Sequence, residues 1–118
     1  MTRWKIKRVY DPPDAADGAR ILVDRLWPRG ISKDKAKIDL WLKDIAPSDA
    51  LRKKFHGKPD EWAAFCRAYA AELKEDAAQA AARTLLGYAR KGTVTLLYAS
   101  RDETHNNAAA LKDWLMRQ

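Results

Sequence analysis

Apolar positions along the chain recur in two rhythms, every second residue or every third and fourth, and the rhythms lay out the elements. Trp4-Lys5-Ile6-Lys7-Arg8-Val9-Tyr10 alternates, with Trp4, Ile6 and Arg8 on one face and Lys5, Lys7 and Val9 on the other. This is the pattern of a strand near a sheet edge, and it slips at Arg8, where the apolar face turns basic. Asp11-Pro12-Pro13 ends it, because proline has no N–H to give to a ladder. After a polar connection with a turn at Asp17-Gly18, the segment Ala19 to Leu26 reads as a second strand. Its Ile21-Leu22-Val23 run is apolar on both faces, as in a strand covered from both sides. The gap before it is short for a helical crossover, so the relative direction of the two strands stays open. Ile38 to Ile45 alternates again, with Ile38, Leu40 and Leu42 on one face, and predicts a third strand ended by Ala46-Pro47. Thr93 to Ala99 is β-branched and then apolar throughout, a fourth strand buried on both faces.

The helical rhythm fills the rest. Ser32 caps a short turn reaching Lys37, and Ser48 or Asp49 starts a helix to about His56, closed by Gly57. Pro59 and Asp60 open a helix in which Trp62, Phe65, Cys66, Tyr69 and Leu73 share one face. Residues 76–91 are alanine-rich and helical up to Gly92, and Ala108 to Met116 forms the last helix. The order β-β-β-α-α-α-β-α predicts a small three-layer α/β fold, a mostly parallel four-stranded sheet with helices packed on it.

Composition narrows the class. At 118 residues, 47% apolar and 33% charged, the chain is one globular domain, residues 1–118. No apolar run approaches the roughly 20 residues that span a bilayer, and Met1-Thr2-Arg3-Trp4-Lys5 is charged, so no membrane contact and a cytoplasmic location are expected. One cysteine and two histidines give no metal-ligand spacing, and no cofactor motif is present, so neither metal nor cofactor is expected. The net charge of +7 is lopsided: residues 1–60 carry 15 Lys/Arg against 9 Asp, and residues 61–118 carry 8 against 7. An anionic partner would meet the first half, whether a phosphate- or carboxylate-bearing small molecule or, as the alternative, nucleic acid.

The chemistry concentrates where apolar strands end in charge. If strands two and four are parallel, Asp24-Arg25 and Ser100-Arg101-Asp102 emerge at the same sheet margin, where open α/β folds bind ligands. Arg25 and Arg29 are planar donors suited to carboxylate or phosphate, and the last helix would add free N–H groups near Asn106. Trp27 bounds the site, with Tyr98 as a further candidate wall. Asp24, Asp102 and His105 are the candidates for proton transfer; Arg25, Trp27, Arg29, Ser100, Arg101 and Asn106 are the candidates for binding. Structural readings stand beside these: Asp24 and Arg25 as rim ion pairs, Trp27-Pro28 as a plug over the core, Asp102 as a helix cap, His105 as a surface residue, Cys66 as core, and Arg52-Lys53-Lys54 as a solvated face. There is no Ser/His/Asp triad, glycine-rich phosphate loop or dinucleotide fingerprint.

Several strings resemble a known family. Lys7-Arg8-Val9-Tyr10-Asp11-Pro12, Val23-Asp24-Arg25-Leu26-Trp27-Pro28-Arg29-Gly30, Ile45-Ala46-Pro47-Ser48, Leu51-Arg52, Phe55-His56, Glu72-Leu73 and Leu96-Leu97-Tyr98 are similar to the YeaO-like family of the bacterial domain-of-unknown-function 488 group. The resemblance runs along essentially the whole chain and implies a compact cytoplasmic α/β domain. Relatives in the wider group carry an Asp-Val-Arg strand tip, matched here by Asp24 and Arg25, and a Cys/His-bearing segment after the last strand. Tyr98 stands where the wider group has cysteine and Asn107 where close relatives often have histidine.

Three expectations follow. An anion site at the strand tips, whether or not it supports catalysis, comes first; a basic nucleic-acid-binding module is the alternative; and rim charges that only hold loops together are the third. Trp4 and Ile6 on an edge strand also leave room for a homodimer.

Overall fold

The computed structural model describes residues 3–118. Four strands, β1 (Trp4–Arg8), β2 (Ala19–Leu22), β3 (Leu40–Trp41) and β4 (Val94–Tyr98), form one sheet in the order β1-β4-β2-β3. Every pairing is parallel, which settles the direction of β1 and β2: both flank β4, with Ile6 and Ile21 each registered on Leu96. Among the described residues there are five α-helices: α1 (Lys33–Ala36), α2 (Asp49–Phe55), α3 (Trp62–Glu72), α4 (Asp76–Lys91) and α5 (Asn107–Met116).

The alternation of each strand sorts its side chains into two cores. Trp4, Ile21, Val23, Val94, Leu96 and Tyr98 face the larger one, closed by Leu51, Phe65, Tyr69, Leu85, Leu111 and Leu115 from α2 to α5. Val9, Leu22 and Leu97 face the smaller one, covered by Ala36 of α1 and by Ile38. The central strands are therefore covered on both sides, as their continuous apolar runs require.

The third strand is shorter than its alternation predicts. Only Leu40 and Trp41 pair with β2, and Lys43–Ile45 closes into a 3-10 turn. Ile38 does not share a face with Leu40 and Leu42: it packs in the smaller core, whereas they pack against the larger. Trp4 is also not an exposed edge residue, since it is 9% exposed inside the larger core, with Ile6 packed against it. β1 is nevertheless an edge strand of the sheet, as its alternation predicts.

The polar connection into β2 is a buried clamp. Asp17, 5% exposed, accepts from Arg20 and Lys7 and from the Asp14 amide, while Arg20 also donates to the Ala36 carbonyl. Burial pushes the Asp17 carboxyl up, but the Lys7 bond, the Asp14 amide and Arg20 together outweigh it and hold the pKa below its usual value. Gly18 follows at φ +65°, where a Cβ would lie 2.1 Å from the Thr93 carbonyl oxygen. No larger residue fits that approach to β4.

Candidate functional site

The parallel sheet sends β2 and β4 out at the same margin, and the chain beyond each lines a cleft of about 690 Å³. All nine residues nominated from the sequence line it: Asp24, Arg25, Trp27 and Arg29 after β2, and Ser100, Arg101, Asp102, His105 and Asn106 after β4. The cleft is also lined by Arg52 and Phe55 of α2, by His56 and Lys58 in the connection that follows, and by Trp62 and Phe65 of α3. Tyr98 is not part of the wall; it is 2% exposed and packed in the larger core.

Asp24 is a joint between the two strand tips. One carboxylate oxygen accepts from the Ala99 amide at 2.9 Å, the other from the Asn107 side chain at 2.9 Å. Asn107 donates at the same time to the Val23 carbonyl at 3.0 Å, stapling the start of α5 to the end of β2. Burial raises the Asp24 pKa, and the two donors offset only part of that cost. Asn107 was not nominated from the sequence, and no local pattern identifies a residue whose partners lie 83 and 84 positions away.

Arg25 is largely occupied. Its guanidinium donates to the Ala46 carbonyl at 3.0 Å and to Pro47 at 3.4 Å. The same segment is held by the Tyr69 hydroxyl, which donates to Ile45, and by Glu72, which accepts from the Ser48 amide and hydroxyl. These bonds fix the start of α2, and with it the part of the cleft that α2 lines. Asn106 is spent as well: it is 4% exposed, caps α5 by accepting from the Ala109 amide, and donates to the Asp102 carbonyl. Asn106, rather than Asp102, is the helix cap.

Asp102 closes a loop turn. One of its oxygens accepts from the amides of His105 and Thr104, and these hold its carboxyl below the usual range, so it stays ionised near neutrality. His105 lies 3.6 Å from Asp102 and packs edge-on to Trp62, with ring centroids 5.1 Å apart.

The Trp-Pro-Arg-Gly loop is rigid on its backbone side and open on its charged side. Trp27 donates to the Ile31 carbonyl and packs edge-on to Trp41 at 5.3 Å. The Tyr10 hydroxyl donates to the Arg29 carbonyl, and Gly30 at φ +70° supplies the turn. The Arg29 and Arg101 guanidinium groups make no hydrogen bond or ion pair with any described residue. Arg25, Arg29, Arg52, Lys58 and Arg101 line the cleft together with Asp24 and Asp102, and of these cations Arg52 pairs with Asp49 at 3.2 Å and Lys58 with Glu61 at 3.9 Å. Cys66 lies outside it on α3, its thiol pushed up by burial. Among the described residues no group of His, Cys, Asp and Glu is placed to hold a metal ion, and no helix is long and apolar enough to cross a membrane.

Fold and cleft together define a small α/β domain with a parallel sheet and a cation-rich cleft at its strand tips. A family model described as "Inactive DUF488-N3 subclade" matches residues 3–118, and the chain belongs to that DUF488 family. It is 49% identical over 109 residues to the uncharacterized protein YeaO of Escherichia coli K12, covering 92% of this chain and 93% of the relative. It is 41% identical over 114 residues to the uncharacterized proteins Mb3100c of Mycobacterium bovis and Rv3073c of Mycobacterium tuberculosis, covering 97% of this chain and 94% of each. No solved structure matches the chain.

Proposed function

We propose that this protein binds an anionic small molecule in the strand-tip cleft and holds it without turning it over. The observation that carries the reading is that Arg29 and Arg101 line the cleft with no hydrogen bond or ion pair to any described residue, whereas the carboxylates of Asp24 and Asp102 beside them are already held by backbone or side-chain amides. Arg29 and Arg101 keep their donor forks free for a carboxylate or phosphate. The start of α5 adds the partial positive charge of a helix N-terminus.

Binding without catalysis is favoured by the same bonds. Asp24 and Asp102 are bonded in joining loops, Tyr98 is buried, and Cys66 does not line the cleft. The description of the family as an inactive subclade agrees with this reading.

The test compares wild type with the Arg29→Met/Arg101→Met double variant in thermal-shift titrations of phosphate, pyrophosphate and small carboxylates. Neither side chain is bonded within the protein, so the variant keeps its unliganded melting temperature. At least one anion stabilises the wild type, and its affinity falls about tenfold or more in the variant, as loss of charge-assisted bonds worth about 1.5–3 kcal/mol each requires. Equal responses to every anion would refute the proposal.

A further inference from the structure

We infer that the ligand of this cleft is a nucleoside phosphate, its flat ring against the wall of Phe55 and Trp62 and its phosphate between Arg29 and Arg101. The inference rests on the anion-binding reading above and narrows it to one chemical class.

A bare phosphate or carboxylate would leave most of the cleft unused. At about 690 Å³ it falls within the roughly 300–1,000 Å³ typical of sites for larger organic ligands. Its surface also holds what a purely ionic site does not need. Of the four large apolar or aromatic residues most exposed among those described, three line this cleft: Tyr10 at 43%, Leu26 at 55% and Trp27 at 36%. Apolar surface kept in water and gathered at one place marks a binding surface.

The part of the cleft lined from α2 and α3 is aromatic. Trp62 lies nearly parallel to Phe65, with ring planes 23° apart and centroids at 5.5 Å, and Phe55 meets Phe65 edge-on at 5.8 Å. Phe65 is buried behind, whereas Trp62 and Phe55 remain partly exposed, with His105 edge-on to Trp62 at 5.1 Å and the Lys54 ammonium over Phe55 at 5.5 Å. Rings already ordered by their neighbours stack on a ligand at little entropic cost. Aromatic faces beside arginine are the general means of holding a base next to its phosphate.

The cations are gathered within one cleft, and Asp24 and Asp102 lie among them. That arrangement suits one compact charged group better than the continuous phosphate track of a polymer.

The experiment is calorimetric titration of the full chain with the four common nucleoside 5′-monophosphates, a nucleoside, ribose 5-phosphate, inorganic phosphate and a short single-stranded oligonucleotide. At least one monophosphate is expected to bind about five- to 150-fold more tightly than ribose 5-phosphate, the span that stacking of one base supplies. Trp62→Leu is expected to bring that ligand down toward ribose 5-phosphate. Phe55→Leu is the second variant should Trp62→Leu fail to fold, and the wild-type comparison needs neither. Ribose 5-phosphate binding as tightly as every monophosphate would overturn the nucleoside assignment and leave the anion reading standing. Absence of binding by any phosphate would overturn both. Binding of the oligonucleotide without any monophosphate would overturn it in favour of a polymer.

Discussion

Asn107→Ala removes the staple between the two strand tips without touching any cation of the cleft. The side chain makes two bonds, one to the Val23 carbonyl at 3.0 Å and one to the Asp24 carboxylate at 2.9 Å. A neutral hydrogen bond contributes about 1 kcal/mol and one to a charged group about 1.5–3 kcal/mol, so the loss is about 2.5–4 kcal/mol. At about 4 °C per kcal/mol for a domain of this size, the melting temperature falls by about 10–16 °C. The loss also depends on pH, and its sign follows from the carboxylate. Burial raises the Asp24 pKa and the Asn107 bond lowers it, so removing Asn107 raises it further. A raised carboxyl pKa means that folding favours the protonated acid, a contribution present below the unfolded pKa and lost as pH rises through the folded value. Asn107→Ala therefore costs more at pH 8 than at acid pH, where Asp24 takes up a proton. Urea denaturation of both proteins at pH 4.5 and pH 8 reads this directly. A loss below about 0.5 kcal/mol, within the range of ordinary surface changes, or one equal at both pH values, would show that Asn107 does not support an ionised Asp24.

Two further substitutions test the scaffold. Asp17→Asn leaves Arg20, 3% exposed, without its counter-charge and costs about 3–5 kcal/mol in denaturant titrations at neutral pH. Because the Asp17 pKa is lowered, its contribution is complete above the unfolded carboxyl value and is lost as pH falls through the folded one. The gap between wild type and variant should therefore narrow in acid; a constant gap contradicts the clamp. Gly18→Ala places a Cβ against the Thr93 carbonyl in a backbone conformation that alanine resists, and destabilises by about 1–3 kcal/mol or more. An unchanged melting temperature would mean that β2 and β4 do not approach as described.

The sheet was legible where burial dictates composition. Ile21-Leu22-Val23 and Leu96-Leu97-Tyr98 must be apolar on both faces because helices cover both, and that pattern survives in sequence without any partner in view. The third strand was overread because Leu40 and Leu42 do share a face, but Leu42 leaves the ladder at ψ 69° and the chain turns at Lys43. Nothing in an alternating string of apolar residues records where pairing stops.

The site was legible in outline for the same reason: two apolar runs ending in charge, brought side by side by a parallel sheet. What was not legible is which polar groups are already spent. Arg25 points to carbonyls 21 and 22 residues away, and Asn106 turns back to cap its own helix. The part of the cleft lined by Arg52 and Trp62 is set by the bonds of Glu72 and Tyr69 to the segment before α2. Such pairings are properties of the packed chain, and residue type alone does not carry them. Arg52, read in sequence as part of a solvated face, reaches the cleft for that reason.

The central claim, that guanidinium groups and the start of α5 converge on one anion, is tested most directly by residue-resolved amide NMR of the labelled protein titrated with inorganic phosphate or pyrophosphate at constant ionic strength. The shifts should saturate and fall on two stretches distant in sequence, Asp24 to Gly30 and Ser100 to Ala109. Shifts that stay linear with concentration, or that gather on the lysines of α1 instead, would contradict it.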